Sequence, residues 1–147
     1  MKAILFSILF SNTVFLACSQ DIAPEKVPAI VKNAQQVKFP DATEVEWEKK
    51  PKGYEVEFNI GLTDYTALIT SAGKITYYEQ EIQANELPAP ITAIIQKQFA
   101  GYTVDGNDLD KITNNGEFFY RVDLEKNHRD ITRVFSATGK VVPDPTL

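Results

Sequence analysis

The chain has 147 residues, of which 15 are basic and 20 acidic, giving a formal net charge of −5. That length accommodates one domain, or two small repeats that share a core, but not two ordinary domains. With 44% hydrophobic and 24% charged residues, the composition is typical of a folded globular protein rather than a disordered one. The excess of acid, without a basic patch, argues against nucleic acid as a partner, because phosphate backbones would be repelled.

The first 19 residues have the pattern of a secretory signal peptide. Met1-Lys2 supplies a positive start, residues 3–16 are mostly apolar, and Ala17-Cys18-Ser19 ends the segment with small residues. The apolar run is shorter than the roughly 20 residues that a membrane-spanning helix needs. We therefore expect a periplasmic or secreted protein from which residues 1–19 are removed.

Two processing routes remain open in this segment. Cleavage at the small-x-small sequence Ala17-Cys18-Ser19 discards the chain's single cysteine and releases a soluble protein, and this route is preferred. Leu16-Ala17-Cys18 also resembles a bacterial lipobox, which would make Cys18 the lipidated N-terminus of a membrane-anchored lipoprotein. On either route the folded domain has no disulfide.

The remaining domain, residues 24–147, carries two copies of one pattern. The copies lie 60 or 66 positions apart and pair Val27-Pro28 with Leu87-Pro88, Phe39 with Phe99, residues 54–58 with 120–124, and residues 71–75 with 137–141. The second copy therefore holds six additional residues between Phe99 and Phe119. We predict two repeats, residues 24–82 and 84–142.

Each repeat is predicted to begin with an amphipathic helix. In the first copy Val27, Ile30, Val31 and Ala34 recur at positions i, i+3, i+4 and i+7, which places them on one face. Proline is tolerated only in the first turn of a helix, so the two helices should begin near Pro28 and Pro88. They should end near Phe39-Pro40 and Gly101.

After each helix the hydrophobic period changes from 3.6 to 2, which indicates strands. The predicted strands are residues 44–48, 54–60, 65–70 and 75–79 in the first copy, and 109–113, 118–125, 131–136 and 141–142 in the second. The fold class is therefore α+β, with two tandem α-β-β-β-β repeats, antiparallel pairing and the helices on one face. The uncovered face should carry the acidic side chains of Glu44, Glu46, Glu48, Glu55 and Glu57.

The first repeat combines a Phe-Pro-x-Ala start, a strand tryptophan, a Gly-Tyr-x-Val-x-Phe strand and a Gly-Lys turn, at Phe39, Pro40, Ala42, Trp47, Gly53, Tyr54, Val56, Phe58, Gly73 and Lys74. These motifs resemble the beta-lactamase-inhibitor-like, PepSY-like family of small exported bacterial proteins. The second repeat keeps Phe99, Tyr120, Val122, Gly139 and Lys140 but lacks the tryptophan and the Phe-Pro pair. The resemblance implies tandem repeats whose strands can join into one curved eight-stranded sheet with the helices on its convex side.

Catalytic chemistry is not expected. The sequence holds no Gly-x-Ser-x-Gly, His-Glu-x-x-His, Walker or Gly-x-Gly-x-x-Gly motif. The single histidine, His128, is predicted to lie in an exposed hairpin loop. Residues 105–110 read as a polar turn rather than a calcium loop, because position 12 counted from Asp105 is Gly116 instead of glutamate. No cofactor or metal site is predicted, and Trp47 is assigned to the core.

The leading hypothesis is a non-enzymatic, exported binding module that holds a protein or peptide of the cell envelope on the uncovered sheet face. Tyr78 and Phe119 lie out of phase with the main apolar rows of their strands, so both are predicted to project from that face. The predicted partner contacts are Tyr78, Phe119, Glu57, Arg121, Asp123 and Arg133. Inhibition of an envelope hydrolase is a sharper version, which rests on the resemblance. The alternative is capture of a small ligand or a divalent ion in the periplasm.

Overall fold

The computed structural model describes residues 20–147, apart from the side chains of residues 20, 107 and 108. The predicted signal peptide and Cys18 lie outside the described residues. Within residues 20–147, neither helix has the length and apolar character needed to cross a membrane.

The described chain forms one antiparallel sheet whose nine strands follow each other in sequence order. The strands are β1 Gln20–Asp21, β2 Thr43–Lys50, β3 Gly53–Ile60, β4 Thr63–Ile69, β5 Ile75–Glu81, β6 Thr103–Asn114, β7 Glu117–Lys126, β8 Arg129–Ser136 and β9 Val141–Val142. The helices are α1 Ala29–Lys38 and α2 Ala89–Gln98. The predicted fold class is confirmed, since α1 precedes β2–β5 and α2 precedes β6–β9. The short edge strand β1 is an addition that the sequence pattern did not predict.

Both helices begin and end at equivalent residues. Pro28 and Pro88 precede the first turns, and their carbonyls accept hydrogen bonds from Val31 and Ile91 at 3.0 and 2.9 Å. Each helix ends where a phenylalanine N–H, that of Phe39 or Phe99, donates to the carbonyl four residues earlier. The predicted helix limits near the prolines and near Phe39-Pro40 are therefore correct, and α2 ends slightly before Gly101.

Each repeat has its own hydrophobic core between helix and sheet. The first core consists of Val27, Val31, Phe39, Trp47, Val56, Phe58, Ala67 and Ile69. The second consists of Ile82, Ile91, Ile95, Leu109, Tyr120, Val122, Leu124 and Phe135. Trp47 is 5% exposed, as predicted for a core residue. Alternate residues of each strand enter these cores, so the residues between them must point to the other side of the sheet.

The two repeats are joined strand to strand. Residues 77–81 of β5 pair in antiparallel register with residues 110–114 of β6. Of the six additional residues of the second repeat, four lengthen β6, which has 12 residues against 8 in β2, and two lengthen β7, which has 10 against 8 in β3. The prediction of a polar turn at residues 105–110 is wrong, because this segment lies within β6, where the register to β7 shifts between Val104 and Leu109. A bulge inside a long strand absorbs part of the insertion instead.

Candidate functional site

The side of the sheet opposite α1 and α2, here called the open face, is the candidate binding surface. Directly opposed residues of an antiparallel pair share a face. Glu57 of β3 is opposite Glu46 of β2 and Thr66 of β4, while the neighbouring Val56 is opposite the core residues Trp47 and Ala67. The open face of the first repeat therefore presents the acidic residues, as the alternation predicted.

Four glutamates on β2 and β3 form what we call the acidic row: Glu46, Glu48, Glu55 and Glu57. Lys50 Nζ binds Glu48, and it lies 3.0 Å from Glu55 Oε1. Hydrogen bonds to Glu48 and Glu55 raise the pKa of Lys50 to about 12. Lys50 thus compensates the negative charge at one end of the row. Glu48 and Glu55, at that end, are partly buried.

The other end of the acidic row is exposed. Glu46 and Glu57 are exposed and form no ion pair with any residue from 20 to 147. Two shallow grooves, each of about 330 Å³, adjoin these carboxylates. One groove includes Ile22 and Trp47, and the other includes Asp64. This end can therefore accept cationic and apolar groups from a partner.

The open face is apolar towards the second repeat. Leu68, Tyr77, Ile112 and Val134 lie on this face and are only 4%, 9%, 0% and 5% exposed. None of the four belongs to either helix-side core. Burial raises the pKa of Tyr77 to about 12, because the ionised phenolate would be poorly solvated there. A layer other than the helices must therefore cover this half.

The last five residues, 143–147, supply cover on this side, and we call them the C-terminal strap. They follow β9 and pass back over the open face. Arg121 Nη2 and Nε donate to Asp144 Oδ2 at 3.0 and 3.1 Å. Asn114 Nδ2 donates to the carbonyl oxygen of Pro145 at 2.7 Å. Thr146 borders a depression of about 240 Å³ that also includes Leu68 and Tyr77. The strap thus reaches from the end of β9 to residues of β7 and β6.

Arg121 is the centre of this arrangement. Its guanidinium group holds Glu79 with two hydrogen bonds of 2.7 and 2.9 Å and also donates to Asp110 at 3.1 Å. The hydrogen bond to Glu79 is the main reason that the pKa of Arg121 is raised. Burial alone would raise the pKa of Asp144, but hydrogen bonds from Thr146 and Arg121 outweigh it and lower that pKa. One side chain thus ties the strap to β5, β6 and β7.

Four of the predicted contact residues lie on the open face. Glu57 is exposed there, and Phe119 is partly buried opposite Ile112 and Ser136. Asp123 is partly buried, and its Oδ1 atom has no hydrogen-bond partner among residues 20–147. Arg121 lies on this face as well, but the acidic side chains and the strap surround it, so it is not a free contact.

The prediction that Tyr78 projects from the open face is wrong. Tyr78 packs on the helix side, with its ring 5.3 Å from that of Phe39 in an edge-on arrangement. The register between β4 and β5 shifts here, so that Ile69 is opposite Ile75 while Leu68 is opposite Tyr77. This irregularity inserts one extra residue and reverses the alternation, which places Tyr77 on the open face.

Arg133 was also predicted on the wrong face. It is opposite Val122, on the helix side, and its guanidinium carbon lies 5.9 Å from the centre of the Phe99 ring. The adjacent residues Val134 and Phe135 are both buried, on opposite faces. The sequence of β8 therefore does not show which of its residues point towards the helices. His128 behaves as predicted, with its side chain 99% exposed in the loop between β7 and β8.

The open face carries groups that can form ionic, hydrogen-bonding and apolar contacts. Among the described side chains, no group of three or more His, Cys, Asp or Glu residues is arranged to hold a metal ion. The face carries uncompensated carboxylates at one end, buried apolar side chains in the middle, and the strap held by Arg121 and Asn114 at the other. The apolar residues and the strap were missed by sequence reasoning. Adjacent apolar pairs such as Leu68-Ile69 are the one signal that both faces are covered.

The fold and the open face define a small α+β module made of tandem helix-and-meander repeats. The chain belongs to the family described as "Putative beta-lactamase-inhibitor-like, PepSY-like", whose model matches residues 16–76 and 70–142. The family resemblance noted in the sequence is confirmed, and the match is tandem, like the repeats.

Several solved structures of similar fold come from Bacteroides species. A DUF2874 family protein from Bacteroides uniformis is 16% identical, with a TM-score of 0.71 over 79% of this chain and 86% of that one. A protein from Bacteroides eggerthii described as "putative periplasmic" is 16% identical, with a TM-score of 0.72 over 80% and 86%. A BLIP-like protein from Bacteroides fragilis is 18% identical, with a TM-score of 0.68 over 79% and 83%. No curated protein matches the chain.

Proposed function

We propose that this protein is an exported, non-enzymatic module that binds a protein or peptide on the open face of its sheet. The observation that carries the proposal is the exposed end of the acidic row. Glu46 and Glu57 lie side by side beside two grooves of about 330 Å³ and have no ion pair within residues 20–147. A face that only needs to be soluble does not require like charges directly opposite each other, which is an unfavourable arrangement.

The charge of this surface indicates the chemistry of the partner. A segment with lysine or arginine side chains would relieve the repulsion between Glu46 and Glu57 and could place apolar groups beside Ile22 and Trp47. Complementary charge of this kind speeds association and favours the correct partner. Binding should therefore weaken as salt is added, because exposed charges are screened over about 10 Å at 0.1 M salt.

The cell envelope is the proposed location. The signal-peptide pattern of residues 1–19 supports export, and one structural neighbour is described as periplasmic. A soluble periplasmic or secreted form is preferred over a lipoprotein anchored through Cys18. Because one neighbour is named for its likeness to a beta-lactamase inhibitor, an envelope hydrolase is the kind of partner to test first.

Capture from an envelope extract tests the proposal. The mature chain and its Glu46→Gln/Glu57→Gln variant are immobilised, and the retained proteins are identified and quantified. The variant should retain at least tenfold less of the partner than the wild-type chain does. The matched control, Glu25→Gln/Asp41→Asn, removes the same charge from exposed positions before and after α1 and should keep the partner. Equal recovery on all three chains would refute binding through the acidic row.

An activity assay then separates simple binding from inhibition. If the retained partner is a hydrolase, its turnover is measured with and without the wild-type chain and with the Glu46→Gln/Glu57→Gln variant. Inhibition by the wild-type chain, with at least tenfold weaker inhibition by the variant, supports the inhibitory role. Unchanged turnover at saturating wild-type chain would leave binding as the function and refute inhibition.

A further inference from the structure

We propose that the surface beneath the C-terminal strap is a second peptide site, which accepts a short turn-forming segment bearing a carboxylate, and that the strap is its resident occupant. The inference rests on the proposed function, in which the open face binds a polypeptide. It goes beyond that function by naming a different part of the face, a different partner chemistry and a competing segment of the same chain.

The contacts of the strap define what the site recognises. Arg121 turns one edge of its guanidinium group to Glu79 and the other to Asp144, whose carboxylate accepts bonds from Nε and Nη2. Asn114 donates its side-chain amide to a main-chain carbonyl, that of Pro145. Donors on two neighbouring strands therefore bind a side-chain carboxylate and the main-chain carbonyl of the next residue. A short peptide turn can be recognised in this way, by its charge at one point and by its backbone at the next.

The surface beneath the strap suits a removable cover. Leu68 and Tyr77 are apolar side chains on a face that no helix covers, and they border the same depression as Thr146. Both are buried in this structure, at 4% and 9% exposure, and opening of the strap would uncover apolar surface of the kind typical of binding sites. Two side chains, those of Arg121 and Asn114, hold the strap by hydrogen bonds, and Leu147 is 93% exposed. A segment held by so few side chains can open locally.

The strap also lies outside the family pattern. The match to the family model ends at residue 142, at the last residue of β9, and residues 143–147 follow it. The repeated pattern of helix and strands is thus complete at β9. Within the strap, Thr146 donates its N–H and its hydroxyl to Asp144 Oδ1 at 2.9 and 2.7 Å, which folds residues 144–146 into a turn that presents the carboxylate to Arg121.

An attached occupant weakens binding of any free competitor. A segment on a short tether has an effective local concentration in the millimolar range, so a partner must exceed that competition or act when the strap is open. The apparent affinity of a partner is reduced by the fraction of molecules whose site is free. Weakening the strap should therefore increase binding of an acidic peptide.

Nuclear magnetic resonance with a peptide copy of the strap tests this inference. The probe is the acetylated peptide Pro-Asp-Pro-Thr-Leu, titrated to millimolar concentration into the ¹⁵N-labelled mature chain. In a full-length Asp144→Asn/Thr146→Ala variant, the peptide should move the Arg121 Nε–H and Asn114 side-chain amide signals towards their wild-type positions. The wild-type chain should bind at least tenfold more weakly, and a peptide with asparagine in place of aspartate should not bind.

A matched variant controls for charge loss and for general changes in the fold. Asp130→Asn/Thr132→Ala makes the same chemical changes at exposed positions of β8 and should behave like the wild-type chain. Absence of signal changes in the strap variant, or equal binding by the wild-type chain, would overturn the inference. Neither result affects the proposed function, which depends on Glu46 and Glu57 and fails only if the extract experiment fails.

Discussion

Gly73 and Gly139 occupy the same place in the two repeats, in the turns that follow β4 and β8. Both have positive φ, +79° and +86°, and both touch the helix of their own repeat. A Cβ atom on Gly73 would lie 2.9 Å from Cγ1 of Ile30, and one on Gly139 would lie 2.8 Å from the carbonyl oxygen of Pro90. The Gly-Lys turn thus recurs because it must both turn and pack against a helix.

Gly139→Ala should destabilise the protein more than Gly61→Ala. Gly61 also has positive φ, +65°, but no atom lies within 4 Å of its Cβ position, so alanine there costs only about 1–2 kcal/mol of left-handed strain. At Gly139 the methyl group also meets the backbone of Pro90, and we expect a loss of about 3 kcal/mol or more in the free energy of unfolding. Urea denaturation followed by circular dichroism measures both. Equal losses would contradict the packing role.

Tyr78→Ala and Phe119→Ala should differ because the two rings lie on opposite faces. Tyr78 packs against Phe39 and the first core, so its removal should cost about 2–4 kcal/mol of unfolding free energy. Phe119 lies partly buried on the open face, and its removal should cost about 1 kcal/mol. Denaturant titration of the two variants gives the comparison. A larger loss at Phe119 would mean that the register of β5 is misassigned.

Asp144 should make a contribution to stability that depends on pH. Its pKa is lowered in the folded protein from an ordinary value of 3.8. A lowered carboxyl pKa stabilises the fold above the unfolded value, and the contribution is lost as the pH falls through the folded value. Asp144→Asn should therefore cost about 2 kcal/mol at pH 7 and progressively less as the pH falls below 3.8.

Denaturant titrations of the wild-type chain and of Asp144→Asn, repeated between pH 7 and pH 2.5, measure this difference. The matched variant Asp41→Asn changes an exposed aspartate and should show little loss at any of these pH values. A loss at Asp144 that grows on acidification would contradict the assigned direction of its pKa shift.

Leu124→Ala in the second repeat should lower the unfolding midpoint that is measured through Trp47 in the first repeat. Leu124 is fully buried, so the substitution should cost about 2–5 kcal/mol. Because β5 and β6 pair along five residues, the repeats should unfold together. The single tryptophan and the far-ultraviolet circular dichroism should then share one lowered midpoint. An unchanged Trp47 midpoint beside a biphasic dichroism curve would show that the repeats unfold separately.

Local patterns in the sequence were sufficient to predict the two helices and the strands that follow each of them. Pro28 and Pro88 marked the helix starts, since proline fits a first turn, and alternation in residues 54–60 marked a strand with one buried face. The acidic row followed from the same alternation. The candidate surface was predicted only in part, because Phe119 and Glu57 were placed on the correct face while Tyr78 and Arg133 were not.

Those two errors have local causes that a periodic pattern cannot reveal. An irregularity of one residue in β5 exchanged the faces of Tyr77 and Tyr78. In β8, Val134 and Phe135 are both buried, so neither phase is visibly the inner one. A hydrophobic period of two shows which face of the sheet a residue lies on only where the strand pairing is regular and one side of the sheet is exposed to water.

The sequence by itself determined the duplication, the order of helix and strands in each copy, and which side of β3 is charged, because these depend on residues close together in the chain. The tertiary structure alone decided that β5 pairs with β6 to join the repeats, that Arg121 gathers Glu79 and Asp144, and that the last five residues cross the open face. Glu79 and Arg121 are 42 positions apart, and Arg121 and Asp144 are 23 apart. Contacts across such separations depend on how strands pair in space, and no short-range periodicity encodes that pairing.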